Sequence, residues 1–393
     1  MRLNDLEGGK LMRSFTFKVP QNVVFGRGAL KQLPDILQTE NAASVFLVAD
    51  KGLQQVGLVD KTKAILAEKG IACQEFIDLS VNPTVGNVET ATEAFKASGC
   101  KSIVALGGGG PMDVAKSVAI LVTYGGKITD YAGLGKVPGP VLPLIAIPTT
   151  AGTGSEVTAS SVITDEKTHF KMAIISYNIC PTYALLDPEL VMTVPRSVAA
   201  ACGVDAFIHA MEAYVSKTSS PFTDAMGEHA MRMIGGNIRR YVASRDDEEA
   251  ASNMLVGSML AGLAFAWGKL GNIHAMSHPV SGFFHVPHGV ANAILMPVIV
   301  EYNALADQGR YRVIYDSITQ GAKADEYFIP EMLVEELRNL NRELGIPEKL
   351  SDVGVTEDKI GVMAIDAMKS VNVVVNPRQT TIQDIEALYR KLL

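Results

Sequence analysis

Four of the chain's seven histidines fall within one short run, His274-Ala-Met-Ser-His278-Pro-Val-Ser-Gly-Phe-Phe-His285-Val-Pro-His288. Imidazole is the commonest protein ligand for borderline divalent metals, so the run reads as half of a metal site. A second segment, Gly203-Val-Asp-Ala-Phe-Ile-His-Ala-Met-Glu-Ala-Tyr214, spaces Asp205 and His209 four residues apart. On a helix that spacing puts both side chains on one face, where they either bond to each other or join imidazoles from the first run in a four-ligand site. His274 and His278 are also four apart, but Ala275 stands where a His-Glu-x-x-His hydrolase carries its glutamate, which argues against metal-dependent proteolysis.

Such side chains need elements to hold them. Buried strands are predicted at Ser44–Asp50, Lys101–Leu106 and Val141–Ile147, with helices near Leu58–Lys69 and Val88–Ser98 between them. That alternation predicts a mostly parallel, Rossmann-like sheet covered by helices, with ligands bound at the carboxyl ends of its strands. After the second strand comes Gly107-Gly-Gly-Gly-Pro-Met-Asp-Val-Ala-Lys116, a turn into a helix whose free N–H groups could cradle a pyrophosphate. The alternative is a packing turn, since the usual Gly-x-Gly-x-x-Gly pattern is absent and the strand-end acid, Asp50, precedes the glycines. After the third strand, Pro148-Thr-Thr-Ala-Gly-Thr-Gly-Ser-Glu156 offers hydroxyls and amides suited to ribose and phosphate oxygens, or to a plain turn.

Beyond Leu185-Leu-Asp-Pro-Glu-Leu190 the apolar spacing becomes helical, with helices predicted at 198–215, 224–238, 250–266 and 331–344. The organisation expected is an α/β dinucleotide-binding domain over 13–187 and an all-α metal-binding and substrate domain over 188–393. Residues 1–12 read as a leader, with Met12 a second possible start.

Composition excludes several other functions. The apolar fraction of 48% against 20% charged residues is that of a globular protein. A net charge of −7, with no basic run, offers no general attraction to nucleic acid or anionic lipid, and no uninterrupted apolar run reaches about 20 residues. The four cysteines are scattered, without a Cys-x-x-Cys pair, which fits reduced thiols and a cytoplasmic location.

Taken together, the glycine run, the Pro148–Glu156 loop, the Gly203–Tyr214 block, His274–Pro279, Pro287-His-Gly289 and Asn376-Pro-Arg378 resemble the iron-containing (group III) alcohol dehydrogenases over nearly the whole length. The resemblance implies a dehydroquinate synthase-like architecture, with nicotinamide and metal held in a cleft between the two domains. It makes Asp205, His209, His274 and His288 the metal ligands and His278 a proton relay, and leaves His285 out of the site. It assigns Asp50 to the adenosine ribose, and Asn82, Gly108, Gly109, Gly110, Asp113, Thr149, Thr150, Thr158 and Lys171 to the cofactor pocket. An acid at Asp50 would favour NAD over NADP.

The sequence departs from the family pattern at Gly110, where Ser is usual and glycine still suits a helix cap, and at Phe265, Trp267 and Asn372, which are expected to line the substrate pocket. The implied activity is hydride transfer between NAD and a small primary alcohol or diol, or its aldehyde, with iron as the metal and zinc as the alternative. The expected partners are that small molecule and further copies of the chain in a homodimer or larger homo-oligomer. Other readings are a dehydrogenase of a short hydroxy acid, with Lys269 meeting the carboxylate, a lyase related to dehydroquinate synthase, and a silent metal or NAD sensor.

Overall fold

The computed structural model describes Phe17 and residues 21–80, 82–167, 170–322 and 327–393; the proposed leader lies outside them. Among the described residues nine strands precede Asp187: β1 (Asn22–Phe25), β2 (Ser44–Val48), β3 (Ala72–Phe76), β4 (Ser102–Gly107), β5 (Gly133–Leu134), β6 (Leu144–Pro148), β7 (Ser160–Asp165), β8 (Phe170–Ile175) and β9 (Tyr183–Leu186). Six of them form a parallel sheet in the order β1-β9-β6-β4-β2-β3.

Alternation within each strand explains why this sheet is covered on both faces. Phe46, Val48, Ile103, Ala105, Leu144 and Ala146 feed one buried layer. Their neighbours Val45, Leu47, Val104, Leu106, Ile145 and Ile147 feed the other. Strands buried on both sides need helices on both faces, and the crossover helices Leu58–Ala67, Val85–Ser98 and Gly109–Tyr124 supply them. Strand order reverses between β2 and β4, which opens a crevice at their carboxyl ends. Asp50 follows β2 and the glycine run follows β4, so both border that crevice.

A second sheet, β5-β8-β7, was not predicted; its β7 and β8 pair antiparallel, with Ser161 opposite Ile174 and Thr164 opposite Lys171. Among the described residues every element from Pro188 onward is helical. Three of these helices, Arg196–Val215, Glu248–Gly268 and the stretch His288–Ala306, are long and apolar enough to cross a membrane. Yet 83%, 50% and 61% of their apolar windows are buried inside the protein. Their apolarity is accounted for by the large helical core around Phe207, Ile234, Met254, Leu295 and Leu337.

Candidate active site

Asp205 and His209 lie one turn apart on the Arg196–Val215 helix, His274 enters from the first turn of Asn272–Phe284, and His288 opens the helix His288–Asn303. Asp205 Oδ1 is 3.5 Å from His274 Nε2 and 3.8 Å from His209 Nε2. Donors on a four-coordinate centre with bonds of about 2.0–2.2 Å stand roughly 3.3–3.6 Å apart, so these separations suit a single small cation. A shared focus is marked by Asn292 Nδ2, which lies 2.6 Å from Asp205 Oδ1 and 3.1 Å from both His274 Nε2 and His288 Nε2. The His209 and His274 rings stack at 4.7 Å, and His274 and His288 sit 5.3 Å apart.

Hydrogen bonds on the far side of two rings turn their Nε2 atoms inward. His209 Nδ1 donates to the Gly152 carbonyl at 3.2 Å, and His274 Nδ1 faces Glu212 Oε2 at 2.6 Å. Burial presses His209 down to about 4 and His288 well below its ordinary range, so both imidazoles are neutral at pH 7. Burial alone would also depress His274, but Glu212 and Asp205 outweigh it and hold it up at about 9. Asp205 stays below the ordinary carboxylate range despite its burial, because three imidazoles surround it. Asp205, His209 and His274 bring ligand atoms within 4.8 Å of one another, and His288 Nε2 stands beside them across Asn292; imidazoles and an ionised carboxylate are a donor set that fits a divalent metal.

His278 stands beside this group, its ring 6.3 Å from that of His274 and stacked on that of His288 at 5.4 Å. Burial, with the Lys171 ammonium close by, pushes it down to about 3. His285 is exposed at the end of its helix, apart from the group.

The cofactor candidates gather on the opposite side. Gly108 caps the Gly109–Tyr124 helix, so Gly110, expected to suit the cap, is instead its second residue. Among the described residues no side chain caps that helix, which leaves its first amides to an anion. The cradle admits only glycine comfortably: a Cβ at Gly108 would come 3.2 Å from Thr150 Oγ1, and one at Gly109 would come 3.2 Å from Thr153 Cγ2. Thr149 is buried and ties the two loops through its N–H to the Gly107 carbonyl at 3.0 Å. Asp50 caps the following short helix by accepting from Leu53 N at 3.0 Å. This donor-rich crevice fits a dinucleotide.

Other residues of the predicted pocket face inward to the protein. Asp113 accepts from Ser155 Oγ at 3.1 Å and Val162 N at 3.2 Å, and burial raises it to about 6. Thr158 Oγ1 lies 3.3 Å from the ammonium of Lys116. Lys171 donates to Asn82 Oδ1 at 3.1 Å, which joins β8 to the loop ahead of the Val85–Ser98 helix. Among the expected substrate residues, Phe265 packs on the His209 ring at 4.5 Å. Trp267, two residues on and so on the opposite helix face, stacks instead on Tyr177 at 4.6 Å and meets Phe17 at a tilt, 5.6 Å between ring centres. Asn372 is half-buried on Val371–Val375, a helix packed against the one that carries His274.

Three residues escaped the sequence reading. Glu212 was visible three residues beyond His209, on the same helix face. Asn292 follows His288 by one turn. Lys116 ends the glycine block; fully buried, it donates to Ser155 O at 2.7 Å, Ser155 Oγ at 2.9 Å and Ser160 O at 2.8 Å, and so pins the loop after β6 to the helix after β4.

A cation-binding cluster meeting a dinucleotide crevice through the Gly152 contact is the equipment of oxidoreductases that pair a nicotinamide with a Lewis-acidic metal. Comparison with known proteins narrows this class. The family model described as iron-containing alcohol dehydrogenase matches residues 20–188, and its C-terminal counterpart matches residues 199–393. Alcohol dehydrogenase 4 of Schizosaccharomyces pombe (strain 972 / ATCC 24843) is 38% identical over 384 residues, 98% of this chain and 90% of that protein. The crystal structure of 1,3-propanediol oxidoreductase superposes with a TM-score of 0.93 at 37% identity, covering 97% of this chain and 100% of the other. Sulfoacetaldehyde reductase from Bifidobacterium kashiwanohense, solved in complex with NAD+, gives a TM-score of 0.87 at 30% identity over 97% and 99% of the two chains. The chain therefore belongs to the iron-containing alcohol dehydrogenase family. It is an NAD-dependent enzyme of iron type, and the lyase reading falls away.

Proposed function

We propose that Asp205, His209, His274 and His288 hold the metal, and that the enzyme interconverts a small primary alcohol or diol and its aldehyde. The observation that carries this reading is the convergence of donor atoms from three helices on one point, within 3.1 Å of Asn292 Nδ2 for three of the four. When bound, the metal supplies Lewis acidity that favours loss of the alcohol proton as hydride leaves the adjacent carbon.

The chain's own residues do the rest. The free amides at the head of the Gly109–Tyr124 helix bind the pyrophosphate, and Asp50, at the end of β2, takes the ribose hydroxyls through the oxygen that does not cap its helix. Gly108, Gly109 and Gly110 let the backbone approach; Thr149 and Thr150 border the same crevice. Asp113, Thr158, Lys171 and Asn82 act mainly by fixing the loops around it, given how their polar atoms are engaged. His278, neutral and half-buried beside His288, is the side chain placed to pass the departing proton outward, and its depressed basicity makes it a transient relay and not a resting place for the proton. Phe265 walls the pocket next to His209 and keeps water from the reacting carbon.

Relatives act on 1,3-propanediol and sulfoacetaldehyde, as their names state, and the first supports a short diol as substrate here. The division into an α/β domain and an all-α domain near Asp187, a cytoplasmic location and a homodimer or larger assembly complete the proposal. The test is a panel of short alcohols, diols and aldehydes with NAD and NADP, on iron- and zinc-loaded enzyme, followed by reduced-nicotinamide absorbance. His274→Ala is expected to abolish bound metal and turnover together; full turnover without metal would overturn the ligand assignment.

A further inference from the structure

Glu212 is a buried carboxylate that neither the sequence reading nor the family comparison assigns a task. It lies seven residues beyond Asp205 on the Arg196–Val215 helix, two turns along the face that carries Asp205 and His209. Both its oxygens are spoken for: Oε2 meets His274 Nδ1 at 2.6 Å, and Oε1 accepts from the Ile273 backbone N–H at 2.8 Å. The Asn272–Phe284 helix begins at Gly271, which has no side chain to cap it. Its first two amides are satisfied from elsewhere, Asn272 N by Asn376 Oδ1 at 3.2 Å and Ile273 N by Glu212.

From this geometry we infer that Glu212 is the positioning residue for metal retention: one carboxylate fixes both the tautomer of His274 and the seat of the helix that carries it. The inference rests on the ligand set proposed above. A carboxylate only accepts, so it retains the proton on Nδ1 and leaves Nε2, the atom turned towards Asp205, as the nitrogen that gives up its proton when a metal binds. The bond to Ile273 N fixes the distance between the two helices, so the ring cannot satisfy Nδ1 by sliding away from the focus. Close packing enforces the same placement. A Cβ on Gly271 would come 2.9 Å from Glu212 Oε1 and 3.0 Å from Asn376 Oδ1.

Glu212→Gln separates this role from simple helix capping. The amide oxygen can keep the Ile273 bond, but the amide nitrogen then donates to Nδ1 and moves the imidazole proton to Nε2, where it blocks a metal. The experiment titrates zinc into the metal-free, full-length enzyme against a chromophoric chelator, and records the thermal midpoint of the metal-free forms. The expected result is one zinc per wild-type chain, with affinity lower by about 10- to 100-fold in Glu212→Gln at a temperature and pH where both metal-free forms are fully folded. Gly271→Ala, which displaces the carboxylate without removing its charge, should weaken zinc in the same direction and provides the test if Glu212→Gln does not fold.

Equal zinc affinity in Glu212→Gln and wild type would overturn the inference, as would a lowered metal-free midpoint with unchanged affinity, the signature of a cap alone. A wild-type chain that takes up no metal would overturn the ligand set itself, and that outcome is distinct from a failure of Glu212 within an intact site.

Discussion

Glu156→Gln should stabilise the protein, and only above the acid range. Glu156 sits in the short turn Ser155–Val157, 2% exposed, with Oε1 lacking a hydrogen-bond partner among the described residues. Burial raises its pKa from 4.5 to about 7, although the Lys116 ammonium pulls the other way. Because the folded-state value is the higher one, the protonated carboxyl contributes stability that is fully present below pH 4.5 and is lost as pH rises through about 7. A gap of some two to three pKa units corresponds to about 3 kcal/mol, at roughly 1.4 kcal/mol per unit. Glutamine has nearly the same shape and never ionises, so the difference between variant and wild type isolates this one group.

The two proteins should unfold at similar denaturant concentrations near pH 4.5 and diverge with rising pH, the variant becoming more stable by about 2–3 kcal/mol near pH 8.5. Denaturant unfolding of the metal-free proteins at several pH values reads it directly. An offset that does not change with pH, or a variant less stable than wild type in mild alkali, would refute the reasoning.

Asp50→Ser keeps a helix cap for Leu53 N while removing the charge, so the preference for NAD over NADP, measured as a ratio of kcat/KM values, should fall roughly tenfold or more. Trp267 is the chain's single tryptophan and bridges to Tyr177 from the sheet half. Trp267→Ala should lower the unfolding free energy by at least about 1 kcal/mol, the stacking it loses, and leave the alcohol chain-length profile unchanged; a profile shifted towards longer alcohols would put the ring in the pocket after all. Gly154→Ala should cost about 2 kcal/mol or more in unfolding free energy. Its φ is +61° and the new Cβ would lie 2.7 Å from Gly262 Cα, where the Glu248–Gly268 helix crosses the loop.

The parts of this fold that were legible in the sequence are those where burial alone writes the pattern. Strands β2, β4 and β6 are apolar on both faces, and the helices at Arg196–Val215, Pro221–Ala243, Glu248–Gly268 and Pro330–Glu343 carry long, regular apolar spacing. The β7–β8 hairpin was invisible because one of its inward positions is a serine. Ser161 is fully buried, but it bonds Ser117 Oγ at 3.0 Å and the Asp113 carbonyl at 2.8 Å, so its polar side chain masks the alternation.

The same limit governs the site. Asp205, His209 and the histidine run could be read because metal ligands advertise themselves by residue type. Lys116 and Glu212 look from the sequence like the solvated faces of their helices, and only the packing of a second element over each turns a surface charge into a buried one. Lys116 then spends its donors on Ser155 and Ser160, and Glu212 spends its acceptors on Ile273 and His274. What spacing cannot supply is the partner on the other helix. A charged residue that shares a helix face with two ligands is therefore best treated as part of the site until a structure places it in water, because a helix face that turns Asp205 and His209 into the interior turns its next charged residue inward too.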